Sequence, residues 1–328
     1  MNKRSAIKLL AGCAALAAAT GVPGLAQAQT KLKWAHVYET SEPFHKWSVW
    51  AGEEIKKRTN GRYEIQVFPA STLGKESDIN QGLTLGTVDI ILSGGSFAGN
   101  SYKPLAITYF PFIFRDAQHM LKYAKSDVFK ELAKGYDQKT GNHIVAATYY
   151  GARDVTSNRP VRTPEDMKGL KIRVPDAPAY LAFPKALGAN PTPIAFAEVY
   201  LALQNGTVDA EENPLPTIEA KKFYEVQKNI SLTGHIVDSL LTIVSGQLWN
   251  KLSDGDKKIF TEVMQEAAEK AGQDIIASEA RLVGEFKKKG INIITVDKNT
   301  FREAVLKNTK PADYGYRQAD YDRIINIK

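Results

Sequence analysis

Apolar and polar residues alternate with a period of two over Tyr63-Glu-Ile-Gln-Val67, which ends at Pro69, and over Leu170-Lys-Ile-Arg-Val174, which ends at Pro175. Such alternation predicts two half-buried strands, each stopped by a proline that cannot donate to a ladder. Downstream of each strand the spacing becomes helical, about Glu76 to Leu85 and Phe196 to Gln204. Then comes Leu85-Gly86-Thr87-Val88-Asp89 in the first case and Asn205-Gly206-Thr207-Val208-Asp209 in the second. Gly86 and Gly206 are C-cap candidates, because many helices end on a residue in the left-handed region. Strand, helix, glycine, strand is thus predicted twice, as a right-handed βαβ unit in each of two related α/β lobes. Strands at Leu32 to Ala35 and His143 to Tyr149, and a helix near Phe44 to Lys57 stopped by Asn60-Gly61, fit the same class. From Ser253 to Gly290 the pattern is helical, opened by a Ser253-x-x-Asp256 cap. At ~1.5 Å per residue this helix is about 50 Å long, more than one lobe can cover, so it is expected to brace both, with a bend near Gly272.

The N-terminus adds a destination. Lys3, Arg4 and Lys8 precede an apolar, alanine-rich stretch from Leu9 to Thr20, and Ala26-Gln27-Ala28 has the small-x-small form of a cleavage site. Residues 1–28 are read as a secretory signal, the apolar run being shorter than the ~20 residues that span a bilayer. Their removal lowers the formal charge from +7 to +4 and takes away Cys13, the single cysteine. The mature chain is therefore expected to have no disulfide, no thiolate metal site and no thiol nucleophile. Lysines and acids are interleaved rather than blocked, which argues against nucleic acid as a partner, and no second apolar span predicts a membrane-embedded product.

Candidate chemistry centres on Arg173. Alternation puts Leu170, Ile172 and Val174 on one face of their strand and Lys171 and Arg173 on the other, with Arg173 at the carboxyl end. Ligands in open α/β sheets bind beyond such ends, and a guanidinium offers two parallel donors to a carboxylate. On spacing alone, a surface ion pair is an equal reading. Arg153 follows the apolar run Ile144 to Tyr150 and is also expected at a strand end, while Pro214 predicts an extended or turn conformation at Asn213. Leu92-Ser-Gly-Gly-Ser-Phe97 is a glycine-rich turn, but it matches neither G-x-G-x-x-G nor G-x-S-x-G. His36, His45, His119, His143 and His235 lack zinc-ligand spacing, so no metal or cofactor is expected. Glu211-Glu212 reads as solvated charge, and Trp47, Trp50 and Tyr149-Tyr150 as core.

Four runs carry a family resemblance: Arg153-Asp-Val-Thr-Ser-Asn-Arg159, Asp166-Met-Lys-Gly-Leu-Lys-Ile-Arg-Val-Pro175, Pro191-Thr-Pro-Ile-Ala-Phe-Ala-Glu-Val-Tyr-Leu-Ala-Leu-Gln204 and Glu212-Asn-Pro214. They resemble the substrate-binding proteins of tripartite ATP-independent periplasmic (TRAP) transporters, the DctP-type family, and most closely its sialic-acid-binding branch. The resemblance implies a two-lobed, Venus-flytrap periplasmic binding protein. Residues 29–150 with about 239–278 would form one lobe, and 151–238 with 279–328 the other. It implies that Arg173 pairs with a ligand carboxylate, with Arg153 as second cation, Asn213 as amide donor and Phe196 packed against the ligand. Glu76 stands where the sialate binders carry an aspartate that contacts the sugar, and Asp176 where they carry an asparagine. Val37, Gly94 and Phe97 replace an asparagine, a glutamate and an arginine. With the carboxylate end kept and the sugar end altered, a smaller sugar acid such as a hexuronate or aldonate is expected, with sialic acid or a C4-dicarboxylate as alternatives. The implied partners are the membrane subunits of a TRAP transporter, and a monomer is expected. Two rivals are a periplasmic enzyme acting on sugar acids, for which His36 is the histidine expected to reach the cleft, and a binding protein that signals to a sensor.

Overall fold

A computed structural model describes residues 29–328; the expected signal, residues 1–28, lies outside the described residues. Its nine strands are β1 (Thr30–His36), β2 (Tyr63–Phe68), β3 (Ile90–Gly94), β4 (His143–Ser157), β5 (Lys171–Val174), β6 (Asn190–Pro193), β7 (Ala210–Pro214), β8 (Asn229–Val244) and β9 (Asn292–Ile294). They form one sheet in the order β2-β1-β3-β8-β4-β7-β5-β6, with β9 paired to β8.

That order contains the predicted duplication. β1 lies parallel to β2 and β3, just as β5 lies parallel to β6 and β7. The echoed pentapeptides do the same job in each copy: the N–H of Asp89 donates to the Lys33 carbonyl at 3.1 Å, and that of Asp209 to the Lys171 carbonyl at 2.8 Å. Gly86 and Gly206 both adopt left-handed conformations, with φ of 74° and 73°. The correspondence is nonetheless shifted from the expected one. The Tyr63–Val67 strand has β6, not β5, as its counterpart. β6 is hidden in the sequence because Pro191 and Pro193 break any strand signal, and it is tolerated because β6 is an edge strand, where missing donors leave no ladder unpaired. The Phe196–Gln204 helix is also shorter than predicted, a 3-10 turn at Phe196–Glu198 leading into a helix at Val199–Gln204.

The two halves share β4 and β8, which run antiparallel along their lengths of 15 and 16 residues. The carboxyl end of β8 pairs with β3 in one half, and the carboxyl end of β4 pairs with β7 in the other. β4 therefore continues well past Tyr149, and Arg153 stands within it rather than at its end. Register shifts fall at Ile144/Ala146, Tyr149/Gly151 and Arg153/Val155.

The helix Asp254–Lys288 has 35 residues, and the Ser253 side chain caps it by accepting from the Asp256 N–H. Phe260, Val263 and Met264 pack with Leu32, Trp34 and Ile55 in one half; Leu282 and Phe286 pack with Val199, Leu203 and Ile218 in the other. The helix runs unbroken through Gly272. A Cβ there would lie 3.3 Å from Tyr149 Cβ, so the glycine allows close approach to β4. About two turns further on, Glu279 accepts from Tyr149 Oη at 2.8 Å and from the Ala152 N–H at 2.7 Å. The brace is thus tied to β4 where its register shifts. No helix among the described residues is long and apolar enough to cross a membrane.

Candidate functional site

Arg173 is penultimate in β5 and only 1% exposed, which removes the surface-ion-pair reading. Ile172 and Val174 alternate into the core and leave the guanidinium on the opposite face. Its Nε and Nη2 both donate to the Ile194 carbonyl, at 3.0 and 2.8 Å, while Nη1 is buried without a partner. Burial pushes its pKa down, against the pull of Glu211 and Glu212. The half-buried Phe196 ring lies 5.9 Å from this cation and 5.1 Å from Lys221 Nζ.

Arg153 is as deeply buried but is already neutralised by the protein. Its Nε and Nη2 grip the Glu212 carboxylate at 2.5 and 2.8 Å, Nη2 also reaches the Glu212 carbonyl at 2.6 Å, and Nη1 reaches Asp238 at 3.0 Å. Burial opposes ionisation of Glu212, but Arg153 and His235 outweigh it and hold the pKa at about 2. Asp238 receives a single bond from the same guanidinium, and burial pushes it up to about 6. Burial also lowers the pKa of His235, keeping the ring neutral. Its partners then assign the tautomer: Nε2–H donates to Glu212 at 3.2 Å, and Nδ1 accepts from Thr233 Oγ1 at 2.8 Å.

Asn213 belongs to β7 rather than to a turn. Its Nδ2 donates to Glu211 at 2.6 Å, and its Oδ1 accepts from Tyr150 Oη at 3.3 Å. Glu211 and Glu212 are both fully buried, contrary to the expectation of solvated charge. The echo contains the missing signal: extended by five residues, it sets Ala210–Pro214 against Ile90–Gly94, all of which are buried. Tyr149 and Tyr150 are core residues as expected, and the Tyr150 hydroxyl also faces the polar cluster. Asp238 is visible in the sequence as a lone acid in the apolar run Ile236 to Leu241. His235 has no such mark.

The other half supplies Glu76, at the start of the helix Glu76–Leu85. Its Oε1 accepts from the Gly94 N–H at 2.7 Å and from Ser93 Oγ at 2.9 Å, and burial pushes its pKa up to about 7. His36 ends β1, buried 3.3 Å from His45, and burial, then His45, hold it at about 3. Asp176, two residues after the end of β5, is half exposed and lies 3.8 Å from Lys75 Nζ of the other half. Other contacts also join the halves, including Thr217 Oγ1 to Glu42 at 2.8 Å and Lys221 Nζ to Glu39 at 2.7 Å. A cavity of about 1160 Å³ opens elsewhere, between the helices Ala117–Ala124 and Asp127–Thr140 and the long brace, but none of Arg173, Arg153, Asn213 or Glu76 lines it.

This concentration of buried carboxyls sets the pH dependence. Glu42, Glu76 and Glu211 are pushed by burial from 4.5 to about 7. The folded protein therefore holds protons that the unfolded chain releases, so stability falls as pH rises through this window. Glu212 acts oppositely, but its contribution is complete above its unfolded value of 4.5 and is lost only as pH falls towards 2. His36, held at about 3, and the lowered His235 also favour the fold as pH rises, but only up to their unfolded value of 6.5, and the three carboxyls outweigh them. The ligand-free protein is expected to melt at a higher temperature near about pH 5 than near about pH 8. A profile that is flat or rising over that range in scanning calorimetry would mean these carboxyls ionise freely in the fold.

Residues 34–312 match the model of the bacterial extracellular solute-binding protein family 7, DctP. The sialic acid-binding periplasmic protein SiaP of Vibrio cholerae is 39% identical over 261 residues, 80% of this chain and 81% of its own. Among solved structures, a TRAP periplasmic solute binding protein from Polaromonas sp. JS666, bound to D-erythronate, superposes with a TM-score of 0.88 at 33% identity, covering 92% of this chain and 99% of that one. Another, from Roseobacter denitrificans with bound L-galactonate, has a TM-score of 0.84 at 31% identity, covering 90% and 98%. With its two α/β halves sharing one sheet and its family match spanning most of the described residues, the chain belongs to the DctP family of TRAP solute-binding proteins.

Proposed function

We propose that this receptor captures a hydroxylated monocarboxylic acid, a hexuronate or aldonate, with the carboxylate on Arg173 and the hydroxylated tail towards Glu76. One observation carries the reading: a buried guanidinium with an unpartnered Nη1 lies within coulombic reach of Glu76, an acid of the other half. A second ligand carboxylate would meet Glu76 without a cation of its own, since Arg153 is neutralised by Glu212 and Asp238 and Lys75 pairs with Asp176 at the rim. This disfavours a C4-dicarboxylate. The D-erythronate and L-galactonate bound by the two solved relatives support the same class. Asn213 has one amide hydrogen beyond its bond to Glu211, and Arg153 one Nη1 hydrogen, and both serve as secondary donors to the acid. Phe196 packs along the ligand; His36 and Asp176 bound the cleft and its rim.

Binding proceeds by hinge closure, residues 29–150 with 239–278 moving against 151–238 with 279–328. The Glu39–Lys221 and Lys75–Asp176 pairs span that division. The protein works in the periplasm and hands its acid to TRAP membrane subunits. An enzymatic reading has little to recommend it, because a histidine held at about 3 is a poor general base near neutrality.

A thermal-shift screen tests the ligand class. An aldonate or hexuronate at about 100 times its dissociation constant adds about 2.7 kcal/mol of stability and raises the melt. A shift produced by neutral sugars or amines, with none from these acids, would overturn the proposal.

A further inference from the structure

Tyr180 lies in the short turn Pro178–Leu181 that follows the Arg173 strand, and its ring packs between its own half and the opposite one. It meets Tyr109 edge-on with centroids 5.1 Å apart, and the Arg153 guanidinium lies 4.9 Å from its ring. A Cβ on Gly94 would be 3.3 Å from the Tyr180 hydroxyl, 3.2 Å from the Tyr109 hydroxyl and 3.5 Å from Glu76 Oε1. Three polar tips from three different elements therefore converge on one point.

Gly94 itself has φ −61° and ψ 137°, a conformation open to any residue. Its glycine is thus explained by space and not by backbone strain. The missing side chain is what lets a tyrosine from one half reach across to Glu76 of the other.

We propose that Tyr180, admitted by Gly94, is a specificity-determining residue that walls off the Glu76 end of the cleft and sets the length of acid the receptor accepts. The inference rests on the sugar-acid reading above and adds a limit to it. The Tyr180 hydroxyl and the Glu76 carboxyl bond the last hydroxyl of a short aldonate, and the buried Tyr180 ring excludes further carbons. Tyr109 stands beside them, its hydroxyl donating to the Ser239 carbonyl at 2.7 Å and accepting from the Gly95 N–H at 2.8 Å. A ring held on both sides cannot swing away cheaply, so the wall discriminates by overlap with a longer ligand.

Calorimetry with D-erythronate, L-galactonate and sialic acid, a four-, six- and nine-carbon series, tests this on the full chain. The unmodified protein binds the two short acids in preference to sialic acid. Tyr180→Ala shifts the ratio of affinities at least about tenfold towards sialic acid, the lower end of what one methylene commands in a fitted pocket. Tyr180→Phe keeps the wall and leaves the length preference in place. Gly94→Ala, which adds bulk at the same point, costs L-galactonate more affinity than D-erythronate and serves if Tyr180→Ala does not fold. Equal weakening of all three acids by Tyr180→Ala, with unchanged ratios, would show that Tyr180 only supports the fold, leaving the sugar-acid reading intact. Failure of all three acids to bind the unmodified protein would remove both.

Discussion

Arg173→Lys is expected to leave the protein folded and to weaken binding of its acid by about a hundredfold or more. In the proposed site the guanidinium would perform two tasks at once: Nε and Nη2 anchor it to the Ile194 carbonyl, and the unpartnered Nη1 would take the ligand. A lysine ammonium keeps the charge but is a single nitrogen, and cannot hold that carbonyl and present a planar donor edge to a carboxylate together. The pair is desolvated, and loss of one partner of such a pair typically costs ~3–5 kcal/mol. The retained charge recovers part of that, leaving about two factors of ten, at about 1.4 kcal/mol each. Calorimetric titration with the acid that most raises the melt measures the loss, and circular dichroism checks the fold. Unchanged affinity would exclude Arg173 from the carboxylate site.

Arg153→Met should act in the opposite sense, on the fold more than on the ligand. This guanidinium makes four hydrogen bonds, three to Glu212 and one to Asp238, all buried. Removing it strands Glu212, whose carboxylate depends on Arg153 for its low pKa, beside an Asp238 already pushed up to about 6. A loss of ~3–5 kcal/mol of stability is expected, with a fall in melting temperature on the order of 10 °C. Combining it with Glu212→Gln removes the stranded charge and should restore part of the loss. If Arg153→Met melted normally and only binding failed, Arg153 would instead be the second ligand cation that the family resemblance implies.

These two arginines also show where sequence is informative. Alternation across Leu170–Val174 correctly sets Arg173 apart from the core face, because a strand has a strict period of two. It says nothing about depth, and an arginine with 1% exposure looks the same in sequence as a surface one. The βαβ duplication is legible because helix-ending glycines and the Asp89 and Asp209 stitches are local features. β6 is not, since edge pairing tolerates the prolines that erase its signal. The extended echo marks the burial of Glu211 and Glu212, and the apolar run marks that of Asp238. The partners of Glu212, Asp238 and His235 emerge only when the strands are assembled, since Arg153 and Glu212 lie more than 20 residues away along the chain. The exposure of Asp176 is likewise not legible, since its pairing with Lys75 depends on a residue 101 positions away along the chain.

The exchange of β4 and β8 between the halves bears on how the chain comes to be folded. Ile90 of β3 must pair with Val244, and Ser157 of β4 with both Ala210 and Asn229. As the protein is synthesised, the first βαβ unit emerges early, but β3 keeps one open edge until β8 follows much later. Such long-range antiparallel closure is slow, and an open edge in the interim invites mispairing. Since β4 and β8 pair with strands of both halves, no single continuous segment contains either half with its strand partners, and the sheet is completed only when the second long strand threads through both.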